Sequence, residues 1–337
     1  MLHPVAWVGW LGAALVALSA TRNPLHLVLI LLCIAVVNAF ASGDKVSFNP
    51  ISPLRFTLLV VPLSALFNAA TAHFGDTVLL RLPTRLPVVG GPITLEALIF
   101  GMINGLALSG IFAAFMTLNQ ALPIRALIRL VPRAFYPVAV VVSIAVTFVP
   151  TTLRQYQQIR EAQAVRGHRV RGLRDWTPLF MPLLVGGLER ALQLAEAMTA
   201  RGFASADEPR QDTATRTTIV MGLIALLSGW LLRLVWGRET LGLVLMLAGV
   251  GLVLGTLWAL GRQSPHTTYR PEPWTWRDWV AVLSAAVVLA ILIVPGLNRV
   301  ALFYSPYPAL SLPNFDPVIG VATLGLLGPA FLLRSVP

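Results

Sequence analysis

The chain has 337 residues, of which 56% are hydrophobic and only 12% charged, with a net charge of +11. A soluble domain carries roughly 25% charged residues, so the composition excludes an ordinary soluble protein and points to an integral membrane protein. The basic excess, with a pI near 11.2, then reads as contact with anionic lipid headgroups and the cytoplasm rather than with nucleic acid.

Runs of about 20 apolar residues mark membrane-spanning helices. In chain order they fall at 5–20, 25–42, 54–74, 95–119, 216–236, 240–260, 279–296 and 316–334. The first lacks the basic lead of a secretory signal, and although Ala17-Leu18-Ser19-Ala20 resembles a cleavage site, an uncleaved helix is expected. Cys33, the only cysteine, sits inside the second run and excludes an intrachain disulfide. Thr94 before the fourth run reads as a helix N-cap, with Glu96 in the first turn favoured by the helix dipole. Asn38, Asn68, Asn104 and Asn119 lie in apolar surroundings, where hydrogen bonding between helices is the expected role. Later runs are separated by polar or Pro-rich breaks at 207–216, 237–239, 262–278 and 297–315. Trp274, Trp276 and Trp279 beside Arg277 and Asp278 read as an interfacial anchor.

The segment 120–215 differs from its flanks. Counted to its edge at Arg216 it holds 13 Arg, and it contains seven acids. Leu188, Leu192, Ala195 and Thr199 share one helical face, with Glu189, Arg190, Gln193 and Glu196 largely elsewhere. An uncharged stretch, 134–153, is long enough to span but is expected to be buried or interfacial. The 13 Arg decide the orientation: the positive-inside rule puts this segment and the N-terminus in the cytoplasm.

Two short stretches here nearly repeat. Glu161-Ala162-Gln163-Ala164-Val165-Arg166-Gly167 and Glu196-Ala197-Met198-Thr199-Ala200-Arg201-Gly202 match in Glu, Ala, Arg and Gly at a spacing of 35. Gly accepts the left-handed conformation that closes a helix, and a cation in the last turn suits the dipole. One such end is an ordinary C-cap. Two ends with repeated Glu-Ala, on one side of the membrane and in a basic segment, point to paired docking prongs.

Other chemistry finds little support. The sole lysine, Lys45, lies between Asp44 and Val46, so no GxxxxGK[ST] phosphate loop exists. His3, His26, His73, His168 and His266 show no metal-ligand spacing, and neither GxSxG nor HExxH occurs. No span centre carries an ionised residue, which argues against an ion-coupled carrier. A self-sufficient channel or secondary carrier is the alternative reading, but it predicts inverted repeats that are not seen.

On these residues the chain resembles the T component (EcfT or CbiQ-like) of energy-coupling factor transporters, over roughly residues 1–236. That family carries two Ala-Arg-Gly motifs at the ends of cytoplasmic coupling helices. The second is intact here as Ala200-Arg201-Gly202, and the first departs as Val165-Arg166-Gly167. Asn23-Pro24-Leu25, Pro53-Leu54-Arg55-Phe56 leading to Phe67-Asn68, and Thr94-Leu95-Glu96 also match.

The resemblance implies an all-α polytopic membrane protein with about eight spans and a coupling segment between the fourth and fifth. Its expected parts are N-terminal spans at 1–119, coupling helices at 120–215, a helix at 216–236 closing the core, and a membrane extension at 237–337 without an assigned role. The implied partners are a homo- or heterodimer of ABC ATPases, which hold ATP and Mg, and a small S component that binds a vitamin or metal ion. Arg166 and Arg201 would dock on the ATPases, with Glu161 and Glu196 in support, and the chain itself would be non-catalytic and carry no cofactor. The 134–153 face, together with the start of the chain, is the expected S-component platform.

Overall fold

The computed structural model describes residues 2–42, 52–81, 91–132, 135–168, 172–203, 213–263, 273–293, 299–308 and 310–334. The fold is all-α apart from one two-stranded antiparallel sheet. Its helices are α1 (Pro4–Ala20), α2 (Pro24–Ser42), α3 (Pro53–Thr71), α4 (Leu95–Ala121), α5 (Ile124–Ile128), α6 (Tyr136–Val165), α7 (Thr177–Ala200), α8 (Thr213–Trp236), α9 (Glu239–Gln263), α10 (Trp276–Ile293), α11 (Pro317–Thr323) and α12 (Gly328–Arg334). Strands β1 (Val78–Arg81) and β2 (Pro92–Thr94) precede α4.

Six described helices are long and apolar enough to cross a membrane: Pro24–Ala41, Pro53–Thr71, Leu95–Ala121, Val138–Val165, Thr213–Trp236 and Thr240–Arg262. This differs from the expected set of eight. The apolar helices Pro4–Ala20 and Pro317–Leu333 are shorter. The 279–296 run ends partly outside the described residues. The stretch at 134–153, expected to be buried or interfacial, is not buried: from Tyr136 it runs without a break into the charged residues after it, and none of the Val138–Val165 window is buried.

The chain divides into two compact units, Met1–Leu127 with Arg270–Pro337, and Ile128–Tyr269. In the first, α1, α2, α4 and α10 enclose a core of Trp7, Trp10, Leu18, Leu27, Ile30 and Ile34. Small residues on α4 let helices approach closely, the usual device of membrane packing. A Cβ at Gly101 would lie 2.7 Å from the Ala65 Cα, and one at Gly105 would lie 2.9 Å from the Val61 Cα, both on α3. At Gly110 it would meet Leu18 of α1 at 2.6 Å. Thr94 is the N-cap of α4, accepting the Ala97 N–H at 3.4 Å. Buried Glu96 accepts from the Thr77 N–H and hydroxyl on the preceding segment, which ties that segment to the first turn of α4. Arg22 donates to Asn104 at 2.8 Å, so that asparagine does join two elements, whereas the buried Asn68 Oδ1 has no partner.

The C-terminal part of this unit closes over its N-terminal helices. Trp10 Nε1 donates to the Leu326 carbonyl at 2.8 Å. Asn23 Nδ2 donates to the carbonyls of Ala301 and Asn314, at 2.8 and 2.7 Å. Asp278 accepts the His3 N–H at 2.6 Å and two bonds from Thr275. The residues expected to form one extension therefore divide: α9 belongs to the second unit and α10–α12 to the first. The start of the chain, expected as a platform for a partner, is largely covered by this chain's own helices, with Ala6, Trp7, Trp10, Ala13, Ala14 and Ala17 all buried.

The second unit contains two helical pairs, α6 with α7 and α8 with α9. The α8–α9 hairpin is set by glycines seven residues apart on each helix. A Cβ at Gly249 would lie 2.7 Å from the Gly222 carbonyl oxygen, and one at Gly229 would lie 2.7 Å from that of Gly242. Two backbones in direct contact leave no room for a side chain between them.

Candidate functional site: two arginine-tipped helix ends

Helix α6 begins at Tyr136 with Pro137 in its first turn, where a missing N–H costs nothing. Its first half is uncharged, while Arg154, Arg160 and Glu161 mark the second. It stops after Val165, with Arg166 as C-cap at φ −78° and ψ 7°. Gly167 follows at φ +78°. The Gly167 N–H donates to the Ala164 carbonyl and the His168 N–H to the Gln163 carbonyl, both at 2.9 Å. These two bonds form the complete Schellman closure, which satisfies carbonyls that a helix end otherwise leaves orphaned.

Helix α7 ends on the same Arg-Gly pair, with one of the two closing bonds. Arg201 is its C-cap at φ −86° and ψ 4°, and Gly202 has φ +79°. The Gly202 N–H donates to the Thr199 carbonyl at 2.9 Å. An added Cβ would meet nothing within 4 Å at either glycine. Backbone conformation, not space, therefore demands glycine here.

All six motif residues, Val165, Arg166, Gly167, Ala200, Arg201 and Gly202, are exposed. Val165 is 89% exposed, an unusual situation for a β-branched apolar residue at a helix tip. Neither the Arg166 nor the Arg201 guanidinium has a hydrogen-bond or ion-pair partner among the described residues. Glu161 and Glu196 are exposed as well. Each lies five positions before its arginine, about 140° around the helix, so neither can brace the guanidinium directly.

The two helices meet where Gly186 of α7 comes against the Gln155 amide of α6. From that crossing α6 runs on for about 15 Å to Val165 and α7 for about 21 Å to Ala200, at 1.5 Å per residue. Sequence reasoning missed the support behind the first tip. The half-buried His168 ring Nε2 lies 2.8 Å from the Asp175 carbonyl oxygen, and the Asp175 carboxylate accepts the Gly172 N–H at 3.0 Å. The Asp-Trp pair just before Thr177-Pro178 was the available signal, since a short acid there can fold back on its own loop. The apolar face expected on α7 is present but unburied: Met181, Leu184, Val185, Leu188 and Leu192 are each more than half exposed.

Unpaired guanidinium groups on rigid tips cannot carry out bond chemistry by themselves. They can bind carboxylates through planar, bidentate contacts. Among the described residues no group of three or more His, Cys, Asp or Glu side chains could hold a metal ion.

The family model described as "Cobalt transport protein", CbiQ, matches residues 2–213. The match therefore ends where α8 begins. The energy-coupling factor transporter transmembrane protein EcfT 1 of Listeria monocytogenes is 24% identical, over 53% of this chain and 69% of the relative. EcfT of Bacillus selenitireducens is 29% identical, over 57% of this chain and 75% of the relative. EcfT of Macrococcus caseolyticus is 25% identical, over 52% and 68%. With most of its length matched, and six helices of membrane-spanning character, the chain belongs to the CbiQ family, the transmembrane T components of energy-coupling factor transporters.

Proposed function

We propose that this chain transmits ATP-driven motion from a pair of cytoplasmic ABC ATPases to a membrane S component that carries a vitamin or metal ion. The observation that carries the reading is the pair of glycine-capped, exposed arginine tips with unpaired guanidinium groups, on two helices that pack together. Each tip enters a groove on one ATPase subunit, where an acidic side chain pairs with Arg166 or Arg201. A helix seated in a groove is a lever, and a rigid crossing passes displacement of its tips to its other end. Contact that differs between the open and closed ATPase dimer makes this coupling rather than adhesion. ATP and Mg belong to the partner ATPases, and this chain performs no hydrolysis. The tips and the N-terminus lie in the cytoplasm, as the arginine distribution favours.

The exposed apolar face of α7 and the uncharged half of α6 are the remaining candidates for the S-component surface, because α1 is already covered. A self-sufficient carrier gains no specific observation.

Co-purification tests the reading. The Arg166→Ala, Arg201→Ala double variant should insert in the membrane normally and retain little ATPase, since each truncated charged contact costs about 2–5 kcal/mol. A cysteine-directed, membrane-impermeant label should reach a His168→Cys variant only from the cytoplasmic side. Full ATPase retention by the double variant would remove the docking role.

A further inference from the structure

We propose that the end of α9 holds an anionic phospholipid, with the lipid phosphate on Arg262 and its apolar part in the groove beside Trp258. The second unit has a groove of about 690 Å³ lined by Pro132, Leu254, Gly255, Trp258, Gly261 and Arg262, a size that accommodates a small amphiphile. Among the described lining residues Arg262 is the charged one. It closes the Thr240–Arg262 stretch, which is long and apolar enough to cross a membrane, so it falls at the level of the lipid headgroups.

The Arg262 guanidinium carbon lies 3.5 Å from the Trp258 ring centroid. That stacking fixes the plane of the cation and engages its face. It leaves the edge N–H donors unused, and these are the groups that bind a phosphate in bidentate fashion. The Arg262 guanidinium has no hydrogen-bond or ion-pair partner among the described residues.

The occupant is an amphiphile rather than a free anion, because the cation sits at the mouth of an apolar groove. Gly255 has nothing within 4 Å of a would-be Cβ, which leaves that wall open to a chain. Trp258 is 63% exposed, so its ring can face both the guanidinium and an acyl chain. Arg262 and every lining residue named except Pro132 lie beyond the residues matched by the family, so the site belongs mainly to this chain's additional helix α9.

Native mass spectrometry of the full chain, released from detergent holding equimolar dioleoylphosphatidylglycerol and dioleoylphosphatidylcholine, tests this. The first bound lipid should be enriched in phosphatidylglycerol. Arg262→Gln should cut that enrichment about fivefold, the ratio for one cation near a membrane surface. Trp258→Leu should reduce it as well, by freeing the guanidinium, and Arg238→Gln at the opposite end of α9 should leave it unchanged. Enrichment that survives Arg262→Gln, or that falls equally with Arg238→Gln, would overturn the assignment.

Discussion

Gly167 and Gly202 adopt φ of +78° and +79° with open space around them, so replacing either isolates a backbone cost. Ala at both should destabilise each tip by about 1–2 kcal/mol, and Asn by less. Hydrogen exchange over 160–168 and 195–203 should then show faster opening of the two last turns, with the rest of α6 and α7 unaffected. Unchanged exchange in the double Ala variant would mean that these ends do not need the left-handed cap. Both caps were legible in the sequence, because Arg-Gly after a periodic segment encodes a local backbone geometry. Thr94 was legible for the same reason. Asp278 was not. Its neighbours Trp274 and Trp279 suggested an interfacial anchor, yet its carboxylate also ties the backbone of His3, 275 residues away, to the first turn of α10. Asp278→Ala removes the acceptor of these part-buried bonds and should cost about 1 kcal/mol, read as a lower unfolding temperature of the purified chain. Equal unfolding temperatures would show that this tie contributes nothing.

Among the elements, hydropathy located most of the helices but not how two of them are built. The uncharged run at 134–153 was expected to be buried or interfacial. In the folded chain Tyr136–Val165 is one helix with Pro150 inside it. Composition says where apolar residues lie, and it says little about whether backbone hydrogen bonding continues past a proline. The two helices of the α8–α9 hairpin and the break between them were legible, but the contact that joins them was not. Gly222 and Gly229 on one helix face Gly249 and Gly242 on the other, a pairing that is visible only once the helices are antiparallel. Gly229→Val should force these backbones apart, with overpacking costs of about 1–3 kcal/mol. Gly251→Val, on the same hairpin with nothing within 4 Å, should be silent. Thermal stability of the two variants in the same detergent separates the cases, and equal destabilisation would contradict the glycine-contact account.

At the scale of the whole molecule, the family match covers residues 2–213, and the helices beyond it serve two units. Helices α10–α12 close over α1 and α2, covering Trp10, Leu27, Ile30 and Ile34. A chain ending after Gln263 would uncover that surface and should accumulate poorly in the membrane, which quantitative blotting of membrane fractions would show; accumulation at the full-length level would mean that α10–α12 are dispensable for the fold. No local pattern in the sequence announces this closure, because it depends on contacts about 280 residues apart, such as Thr21 to Leu302. The coupling account itself rests on movement of the two tips. Ala162 and Ala197 occupy equivalent positions in the repeated stretches and are exposed, while the native Cys33 is buried and out of reach of a label. Spin labels at Ala162→Cys and Ala197→Cys, in the chain assembled with its ATPases and S component, measure the separation of the tips by electron-electron resonance. The account predicts a shorter distance with ATP bound than with ADP, and the same distance in both states would contradict it.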